Sequence, residues 1–399
     1  MLLVHKIQLK PNKKQTEFFQ QSAGVSRFAY NWALGEWQKQ YKDGDKPSEA
    51  KLRKQLNSIK KEQFPWMLDV SKTVPQQAIK NVGTAYTNFF RRVKNGGKPG
   101  FPRFKKRGIS KESFKPDNGS LEGQDALYTK DKKVKIPRLG LVKLAEKLRF
   151  EGRITGSIIS KTANRWFIAI SVDTNDLPHV RESQGSCGID VGVAWLAALD
   201  NGTKYMPAKA LKRFEKSLRR TQRSHARKVR GSSNRRKAAM RVAKLHYKIT
   251  CTRSDTIHKA TTDIVLNNDF IAMETLNVSG MVKNHNLAKA ISDAAMSEFQ
   301  RQIIYKSKLY GSKVHKIDRW FPSTKLCMSC CELQDMPLSK RMFTCSCGAP
   351  DIDRDVHAAQ NIIGQALTEL TPVETKALAQ DHLSETIVFE AGTDNIILY

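Results

Sequence analysis

The alternation of apolar and polar positions divides the first half of the chain into strand-like and helix-like segments. Leu2–Leu9 has the pattern of a strand. Apolar residues then recur at helical spacing in three blocks, at about 14–33, 48–61 and 74–93. Short strand patterns follow at 134–136, 154–160 and 166–172. We therefore expect a small helical domain inserted after one strand, and a β-barrel-like domain that the N-terminal strand completes.

Cys187–Asp200 is an apolar run interrupted by one carboxylate, Asp190, and followed by the turn signal Asn201-Gly202. Its length and composition predict a strand covered on both faces. Burying an ionised carboxylate without a partner costs several kcal/mol, so we expect a cationic group beside Asp190. Gly188 and Gly192 leave room for another backbone or a ligand. The alternative is an ordinary Asp at a strand edge, held by backbone donors.

Two later segments also carry acids at the end of an apolar pattern. One is a strand pattern that ends at Glu274, and the other is the start of a helical pattern with Asp351, Asp353 and Asp355. Acids on two strands and one helix start can converge. Converging carboxylates suit Mg²⁺, and a pair of such ions stabilises the attacking and leaving oxygens of phosphoryl transfer. The pattern therefore indicates a nuclease.

The composition favours a nucleic-acid partner. Of 399 residues, 69 are Lys or Arg and 38 are Asp or Glu, which gives a formal net charge of +31. Such a charge attracts polyanions strongly, and the 40% hydrophobic content supports folded cores. We expect no membrane association, because no run of about 20 apolar residues and no signal-peptide core is present. The seven cysteines, four at metal spacing, fit a reducing cytoplasm.

Two basic segments are candidate nucleic-acid contacts. The loop 94–107 interleaves aromatic residues with cations, including Arg103 and Lys105, although it also fits a merely solvated loop. The block 209–248 predicts a basic helical pair broken at 231–234. Its apolar stripe favours docking on the protein over disorder. The candidate phosphate contacts in this block are Arg219, Arg220, Arg223 and Arg227.

Four cysteines have the spacing of a structural zinc site. Cys327 and Cys330 form a Cys-x-x-Cys pair, and Cys345 and Cys347 follow after a polar loop. Cys331 directly follows Cys330, so the identity of the fourth ligand stays open at this point. We expect one structural Zn²⁺.

The C-terminal third has three further predicted elements. A helix is expected over 296–310 and a strand over 313–317. The segment Glu369–Tyr399 carries six acids and one Lys without a core pattern, which predicts a mobile tail.

Together these segments resemble the TnpB family of transposon-encoded RNA-guided nucleases, which are related to type V CRISPR effectors. The matching motifs occur in the family's order over about residues 1–365. They are Tyr30–Trp32, Gly100–Lys105, Gly188–Gly192, Met273–Leu276, Phe321–Cys327 and Asp353–Asp355.

The resemblance implies an α/β multidomain fold with a RuvC-type (RNase H-like) nuclease domain, an inserted zinc knuckle, a β-barrel wedge domain and an inserted helical recognition domain. The expected boundaries are 1–12 and 94–183 for the wedge, 13–93 for the recognition domain, 184–324 and 350–366 for the nuclease, 325–349 for the knuckle and 367–399 for the tail.

The resemblance also implies the site and its partners. The catalytic acids carried over from the family motifs are Asp190, Glu274 and Asp355, which are expected to hold two Mg²⁺ ions. Asp355 is preferred to Asp353 because it aligns with the first Asp of the pattern Asp-x-Asn-Ala-Ala-x-Asn-Ile. The implied partners are a guide RNA from the transposon end and double-stranded target DNA, with one protein chain per RNA.

Recognition of a short transposon-adjacent motif is assigned to the third helix, where Lys72, Gln76 and Gln77 match family positions. Gln pairs with adenine and Lys reaches guanine. The alternative is that these are ordinary polar residues facing solvent.

The chain departs from the family at two positions. His357 replaces an Asn, and Ile352 replaces the His that often precedes Asp-Arg-Asp. We expect His357 to tune the site without abolishing it. Two other functions stay open: a cleavage-dead RNA-guided repressor or plain RNA-binding module, and an RNase H-like DNA transposase using the same acids.

Overall fold

The computed structural model describes residues 1–98, 100–117, 127–175, 185–337 and 339–370, and the backbone of Ile387–Glu390. The chain divides into two compact units, Leu2–Asp176 and Leu177–Glu385, and the first unit also includes Thr386–Ala391. Each unit is described by itself below.

The first unit contains the three predicted helices. Asn12 begins the first helix, because its side chain accepts a hydrogen bond from the Gln15 N–H while the Gln15 side chain accepts one from the Asn12 N–H. Ser48 begins the second helix, and its side chain accepts a hydrogen bond from the Lys51 N–H. The helices are α1 (Lys13–Lys42), α2 (Glu49–Gln63) and α3 (Thr73–Lys94), and a short 3-10 helix, Pro65–Asp69, precedes α3.

A single hydrophobic cluster joins these helices to the sheet of the same unit. Phe19 of α1, Leu52 of α2 and Val82 of α3 are fully buried in it, and Trp37 stacks on Tyr86 with ring centroids 4.7 Å apart. Apolar residues at helical spacing therefore mark the buried faces, as the sequence pattern predicts.

The sheet of the first unit includes the N-terminal strand. Its strands are β1 (Leu2–Lys10), β2 (Ser113–Phe114), β3 (Tyr128–Lys130), β4 (Lys133–Ile136), β5 (Gly140–Leu144), β6 (Arg153–Thr162) and β7 (Arg165–Asp173). They are arranged in the order β2-β6-β7-β1-β5-β4-β3, all antiparallel. The predicted pairing of the N-terminal strand with the later strands is confirmed, since β1 pairs with β7 along eight residues.

The second unit is built on a five-stranded mixed sheet. Its strands are β8 (Ser186–Asp190), β9 (Ala197–Leu199), β10 (Lys204–Tyr205), β11 (Phe270–Glu274) and β12 (Lys313–Ile317). The order is β10-β9-β8-β11-β12; the first three are antiparallel, β11 is parallel to β8, and β12 is parallel to β11.

One sequence prediction about this sheet is wrong. Cys187–Asp200 is not one strand but two, β8 and β9, joined by a loop that begins after Asp190. The loop turns tightly at Gly192, where an added Cβ would lie 3.2 Å from the Trp195 carbonyl oxygen. The predicted turn at Asp200–Gly202 is present and leads into β10.

The helices of the second unit are α4 (Ala210–Ala226), α5 (Ser233–Asn267), α6 (Val278–Met281), α7 (Ala288–Ala294), α8 (Met296–Tyr310) and α9 (Arg354–Glu369). The predicted basic helical pair is confirmed as α4 and α5. Its apolar stripe packs as expected: Leu218 and Ile249 are buried together, with Phe214, Val242 and Leu245 against them.

A two-stranded sheet of β13 (Met342–Phe343) and β14 (Ile352–Asp353) precedes α9. The tail prediction needs two corrections: α9 extends to Glu369, and Ile387–Glu390 pair parallel to β1 at Leu3–Lys6. The apolar run Ile387-Val388-Phe389 supplies a strand that the acidic composition obscured. The remaining tail residues, 371–386 and 391–399, lie outside the described part of the chain. Among the described residues, no helix is long and apolar enough to span a membrane.

Candidate functional site

Two of the predicted acids lie at the carboxyl ends of adjacent parallel strands. Asp190 ends β8 and Glu274 ends β11. The two strands are in register, with Met273 opposite Ile189. Because parallel strands end at the same edge of a sheet, both carboxylates lie at one edge.

Helix α9 brings the third acid to the same edge through a close backbone contact. A Cβ added at Gly188 would lie 2.0 Å from the Ala359 carbonyl oxygen and 3.0 Å from the Ile363 side chain. Only glycine allows α9 to approach β8 this closely. Asp355 is in the first turn of α9, two residues beyond the strand β14.

The carboxylates of Glu274 and Asp355 lie near enough to Asp190 to affect its pKa. The pKa of Asp190 is raised to about 7, first by burial and then by the negative charges of Glu274 and Asp355, while Arg354 opposes the shift. The Asp190 residue keeps partial solvent exposure. The cation expected beside Asp190 is thus present as Arg354, but it does not balance the acids. The excess negative charge is the chemistry of a divalent-cation site.

Asp353 and Asp355 have different environments. The side chain of Asp353 caps α9 by accepting from the Asp355 and Val356 N–H groups, and its other oxygen lies 2.7 Å from Lys204 Nζ. Burial alone would raise the pKa of Asp353, but these bonds outweigh it and lower the pKa. Asp355 is paired only loosely with Arg354, at 3.4 Å.

A network that the sequence analysis missed holds Glu274 in place. The Ser323 hydroxyl donates to Glu274 Oε1, and this bond partly offsets the rise that burial causes in the Glu274 pKa. Asn361 of α9 donates through Nδ2 to the carbonyl oxygens of Ser323 and Leu326, at 2.5 and 2.8 Å. The only sequence signal for this network was the family motif around Phe321–Cys327, which gave Ser323 no role.

His357, the departure from the family pattern, is buried. Its ring stacks on Phe343 with centroids 3.7 Å apart, and burial lowers its pKa, which favours the neutral imidazole. Its Nδ1 lies 3.5 Å from the Asn361 amide, within the network described above.

The acids fit a cation site in which the ligand atoms are farther apart than the four cysteine sulfurs are. Carboxylate oxygens are the ligands that Mg²⁺ takes, together with several of its own waters. Among the described residues, the four cysteines are the one group of three or more His, Cys, Asp or Glu ligand atoms that lie within 4.8 Å of one another. An ion that keeps part of its water shell does not need protein ligand atoms as close together as those of the cysteines.

The structure brings Cys327, Cys330, Cys345 and Cys347 together. The Sγ atoms of Cys327 and Cys347 are 3.7 Å apart, and those of Cys330 and Cys345 are 3.6 Å apart. Sulfurs bound at 2.3 Å to a tetrahedral zinc ion stand about 3.8 Å apart. Cys331 is exposed and lies outside this cluster.

The charges of the four sulfurs also fit a metal. The backbone N–H groups of Cys330 and Ser329 lower the pKa of Cys327 to about 6. The Glu332 N–H lowers the pKa of Cys330, but burial and the neighbouring sulfurs outweigh it and raise that pKa to about 12. Neighbouring sulfurs thus oppose the ionisation of Cys330, and Zn²⁺ supplies the positive charge that stabilises thiolates held this close together.

The predicted nucleic-acid contacts lie in several places. On α4 and at its C-cap, Arg220, Arg223 and Arg227 are exposed, and Arg219 is exposed while pairing with Glu215 at 2.6 Å. Arg103 is exposed as well. All five arginines are therefore accessible from solvent.

Lys105 also makes contacts within the protein. Its ammonium lies 4.1 Å from the centre of the Tyr30 ring, its backbone forms two hydrogen bonds with the Asn31 side chain, and burial lowers its pKa. Two of the matched motifs, Tyr30–Trp32 and Gly100–Lys105, therefore meet in the first unit.

The three residues assigned to motif reading do not share one depression. Gln76 and Gln77 line a cavity of about 170 Å³ between α2 and α3, together with Arg53. Lys72 lies at the N-cap of α3 and lines a larger cavity of about 450 Å³ with Lys60 and Arg138. Both cavities open to solvent.

Comparisons with known proteins agree with these observations. Residues 168–285 match a family model described as "Probable transposase", and residues 297–362 match one described as "Cas12f1-like, TNB domain". A third model, "Helix-turn-helix domain", matches residues 1–46, although this segment forms the strand β1 and the single helix α1.

Relatives cover most of the chain. It is 33% identical over 374 residues to a candidate RNA-guided DNA endonuclease of Streptomyces pristinaespiralis, covering 91% of this chain and 89% of the relative. It is 25% identical over 216 residues to the CRISPR-associated endodeoxyribonuclease Cas12f1 of Sulfoacidibacillus thermotolerans, covering half of each. The cryo-EM structure of a Cas12f1–sgRNA–target DNA complex shares the fold, with a TM-score of 0.56 at 16% identity over 88% of this chain and 83% of that one.

The fold and site thus define an α/β protein with a carboxylate cluster at the ends of parallel strands and a nearby four-cysteine knuckle. The chain belongs to the TnpB family.

Proposed function

We propose that this chain is an RNA-guided, Mg²⁺-dependent DNA endonuclease associated with a transposon, which cuts double-stranded DNA matched to its guide next to a short motif. The observation that carries the proposal is the convergence of Asp190, Glu274 and Asp355, where burial first, and then the negative charges of the other two carboxylates, raise the Asp190 pKa to about 7. A carboxylate cluster left with excess negative charge is suited to divalent cations and poorly suited to a structural role.

In this proposal the sheet of the second unit is the core of a RuvC-type nuclease domain. Asp190 and Asp355 would hold the cations, and Glu274 would complete the ligand set. When bound, Mg²⁺ would stabilise the charge that develops on the attacked phosphate. The protein's part is to fix the ligands: Gly188 lets α9 dock, Asp353 caps that helix, and Ser323 orients Glu274.

The knuckle formed by Cys327, Cys330, Cys345 and Cys347 binds one Zn²⁺ as a structural element. It is tied to the start of α9 because the Arg354 N–H and guanidinium donate to the carbonyl oxygens of Arg341 and Lys340, at 2.9 and 3.2 Å. Metal binding then orders the segment that carries Asp355.

The first unit supplies a wedge-like sheet and a helical recognition part, with Lys72, Gln76 and Gln77 as candidate readers of the DNA motif. The exposed arginines of α4 hold nucleic-acid backbone, while base pairing with the guide reads sequence. The net charge of +31 supports the binding of nucleic-acid backbone.

The test is to express the chain with its native flanking locus, sequence the RNA that co-purifies, and incubate the complex with a plasmid library that carries the matched target beside random motifs. We expect cleavage that requires both Mg²⁺ and the RNA and is lost in Asp190→Ala. RNA-dependent binding without cleavage would instead assign the chain to the repressor class, and the absence of bound RNA would favour the transposase.

A further inference from the structure

The turn that follows β12 presents an exposed tryptophan beside the carboxylate site. Trp320 is 77% exposed, which makes it the most exposed of the chain's six tryptophans. A scattered apolar surface residue needs no explanation by itself. The position and the surroundings of Trp320 are what single it out.

The turn is fixed to Glu274 at both ends. Before it, Ile317 is the register partner of Glu274, and its carbonyl oxygen accepts from the N–H and the hydroxyl of Thr275, at 3.2 and 3.0 Å. After it, Ser323 donates to the Glu274 carboxylate. Since Trp320 is three residues from Ser323, the Cα atoms of these two residues are separated by at most roughly 11 Å.

The turn is ordered, so the exposure of Trp320 is not that of a loose loop. The Phe321 N–H donates to the Asp318 carbonyl oxygen at 3.3 Å, and the Trp320 N–H donates to the Asp318 side chain at 2.7 Å. Phe321 packs against a buried cluster that includes Ile317 and Ile362. The residue next to Trp320 is therefore the anchor, and the indole projects into solvent.

One face of the indole is already in contact with a cation. The Arg319 guanidinium carbon lies 4.5 Å from the ring centre, which is a cation–π distance. At 77% exposure the opposite face is open. An aromatic ring backed by a guanidinium offers a flat surface for a planar π-system and a positive charge for a phosphate, and single-stranded nucleic acid presents both.

We propose that Trp320, backed by Arg319, is a stacking platform for one unpaired base of the DNA strand held at the carboxylates. The inference rests on the proposed function, because it takes the substrate to be DNA. It adds that the strand is single-stranded at this point: bases in a duplex are stacked on one another, so only an unpaired or splayed base has a free face for the indole.

The experiment uses the full chain in complex with its guide RNA and a matched target. In Mg²⁺, single-turnover cleavage is measured for wild type, Trp320→Ala and Trp320→Phe. We expect Trp320→Ala to slow cleavage roughly 5- to 100-fold and Trp320→Phe to retain most of the rate, since one base–aromatic stack is lost or kept. Tyr41→Ala, which removes another exposed aromatic (68% exposed) distant in sequence, is the control and is expected to cleave as wild type.

Abasic sites placed one at a time along each DNA strand identify the stacked base. At one position the abasic substrate should slow the wild type by the factor seen for Trp320→Ala, and it should not slow Trp320→Ala further. If Trp320→Ala cleaves every substrate at the wild-type rate, or if the two losses multiply at every position, the proposal is wrong.

A second readout does not depend on cleavage. With Ca²⁺ in place of Mg²⁺, 2-aminopurine at the identified position, or scanned along the strand if nothing is cut, reports stacking through its fluorescence. We expect quenching in the wild type that is lost in Trp320→Ala and kept in Trp320→Phe. Quenching without cleavage would leave the platform standing while the proposed function fails; equal fluorescence in wild type and Trp320→Ala would overturn the platform.

Discussion

Replacing Gly188 by alanine tests how the third acid reaches the other two. The added Cβ would lie 2.0 Å from the Ala359 carbonyl oxygen, and Cβ contacts under 3.0 Å essentially never occur, so α9 must retreat from β8 by about 1 Å. Overpacking of this kind costs about 1–3 kcal/mol, and we expect the melting transition of the second unit to fall by roughly 2–12 °C.

The same shift moves Asp355 away from Asp190. Because a displacement of about 1 Å at a reacting site costs roughly 100-fold in rate, we expect Gly188→Ala to lose at least about that much Mg²⁺-dependent cleavage. The assay is single-turnover cleavage across a Mg²⁺ titration, with thermal unfolding measured on the same samples.

Gly364 on the same helix is the matched control. A Cβ there would meet only the flexible end of the Met328 side chain, at 3.2 Å, and alanine is the better helix former by about 1 kcal/mol. We expect Gly364→Ala to keep wild-type stability and cleavage. Wild-type cleavage by Gly188→Ala would refute the account of how α9 is docked.

Three further predictions follow from the charges of the site and the knuckle. Asp355→Asn should abolish cleavage, whereas Asp353→Asn should keep most of it, because Asn caps a helix as well as Asp does; equal losses in the two variants would contradict the assignment. Burial and neighbouring carboxylates raise the pKa of Asp190 to about 7, so protons compete with the cation below that pH. At limiting Mg²⁺ the cleavage rate should therefore rise as the pH increases through about 7. Saturating Mg²⁺ should move the midpoint of this rise to lower pH. A flat profile at limiting Mg²⁺ would argue against this. Cys330→Ser should lose zinc and lower the melting temperature while Cys331→Ser keeps one zinc per chain by elemental analysis, and loss of zinc from the second variant would be the unexpected result.

The elements that sequence predicted best are those with strong local patterns. Helix α8 and strand β12 have the predicted bounds, Met296–Tyr310 and Lys313–Ile317. The apolar stripe of α5 also packs as expected. In each case the signal lies within one helix or one strand, so the local sequence pattern contains it.

The features that sequence reasoning missed depend on partners far along the chain. Helix α4 has no capping side chain of its own, and the carboxylate of Asp293 on α7 accepts from the Leu211 and Lys212 N–H groups instead while pairing with Arg253 at 3.0 Å. The bond from Ser323 to Glu274 joins residues 49 positions apart. No spacing rule connects such residues, because only the fold brings them together.

The break between β8 and β9 illustrates a second limit. The apolar run continues past Asp190, so hydrophobicity alone extends the strand, whereas β8 ends at Asp190 and the chain turns at Gly192 before β9. The apolar pattern therefore does not mark the residue at which the chain leaves the sheet.

The most direct test of the central claim is to locate a bound divalent cation. In crystals soaked with Mn²⁺ in place of Mg²⁺, we expect anomalous peaks with carboxylate oxygens of Asp190, Glu274 and Asp355 as ligands, and their loss in Asp355→Asn. Mn²⁺ found elsewhere, or absent from these carboxylates at concentrations that support cleavage, would contradict the account.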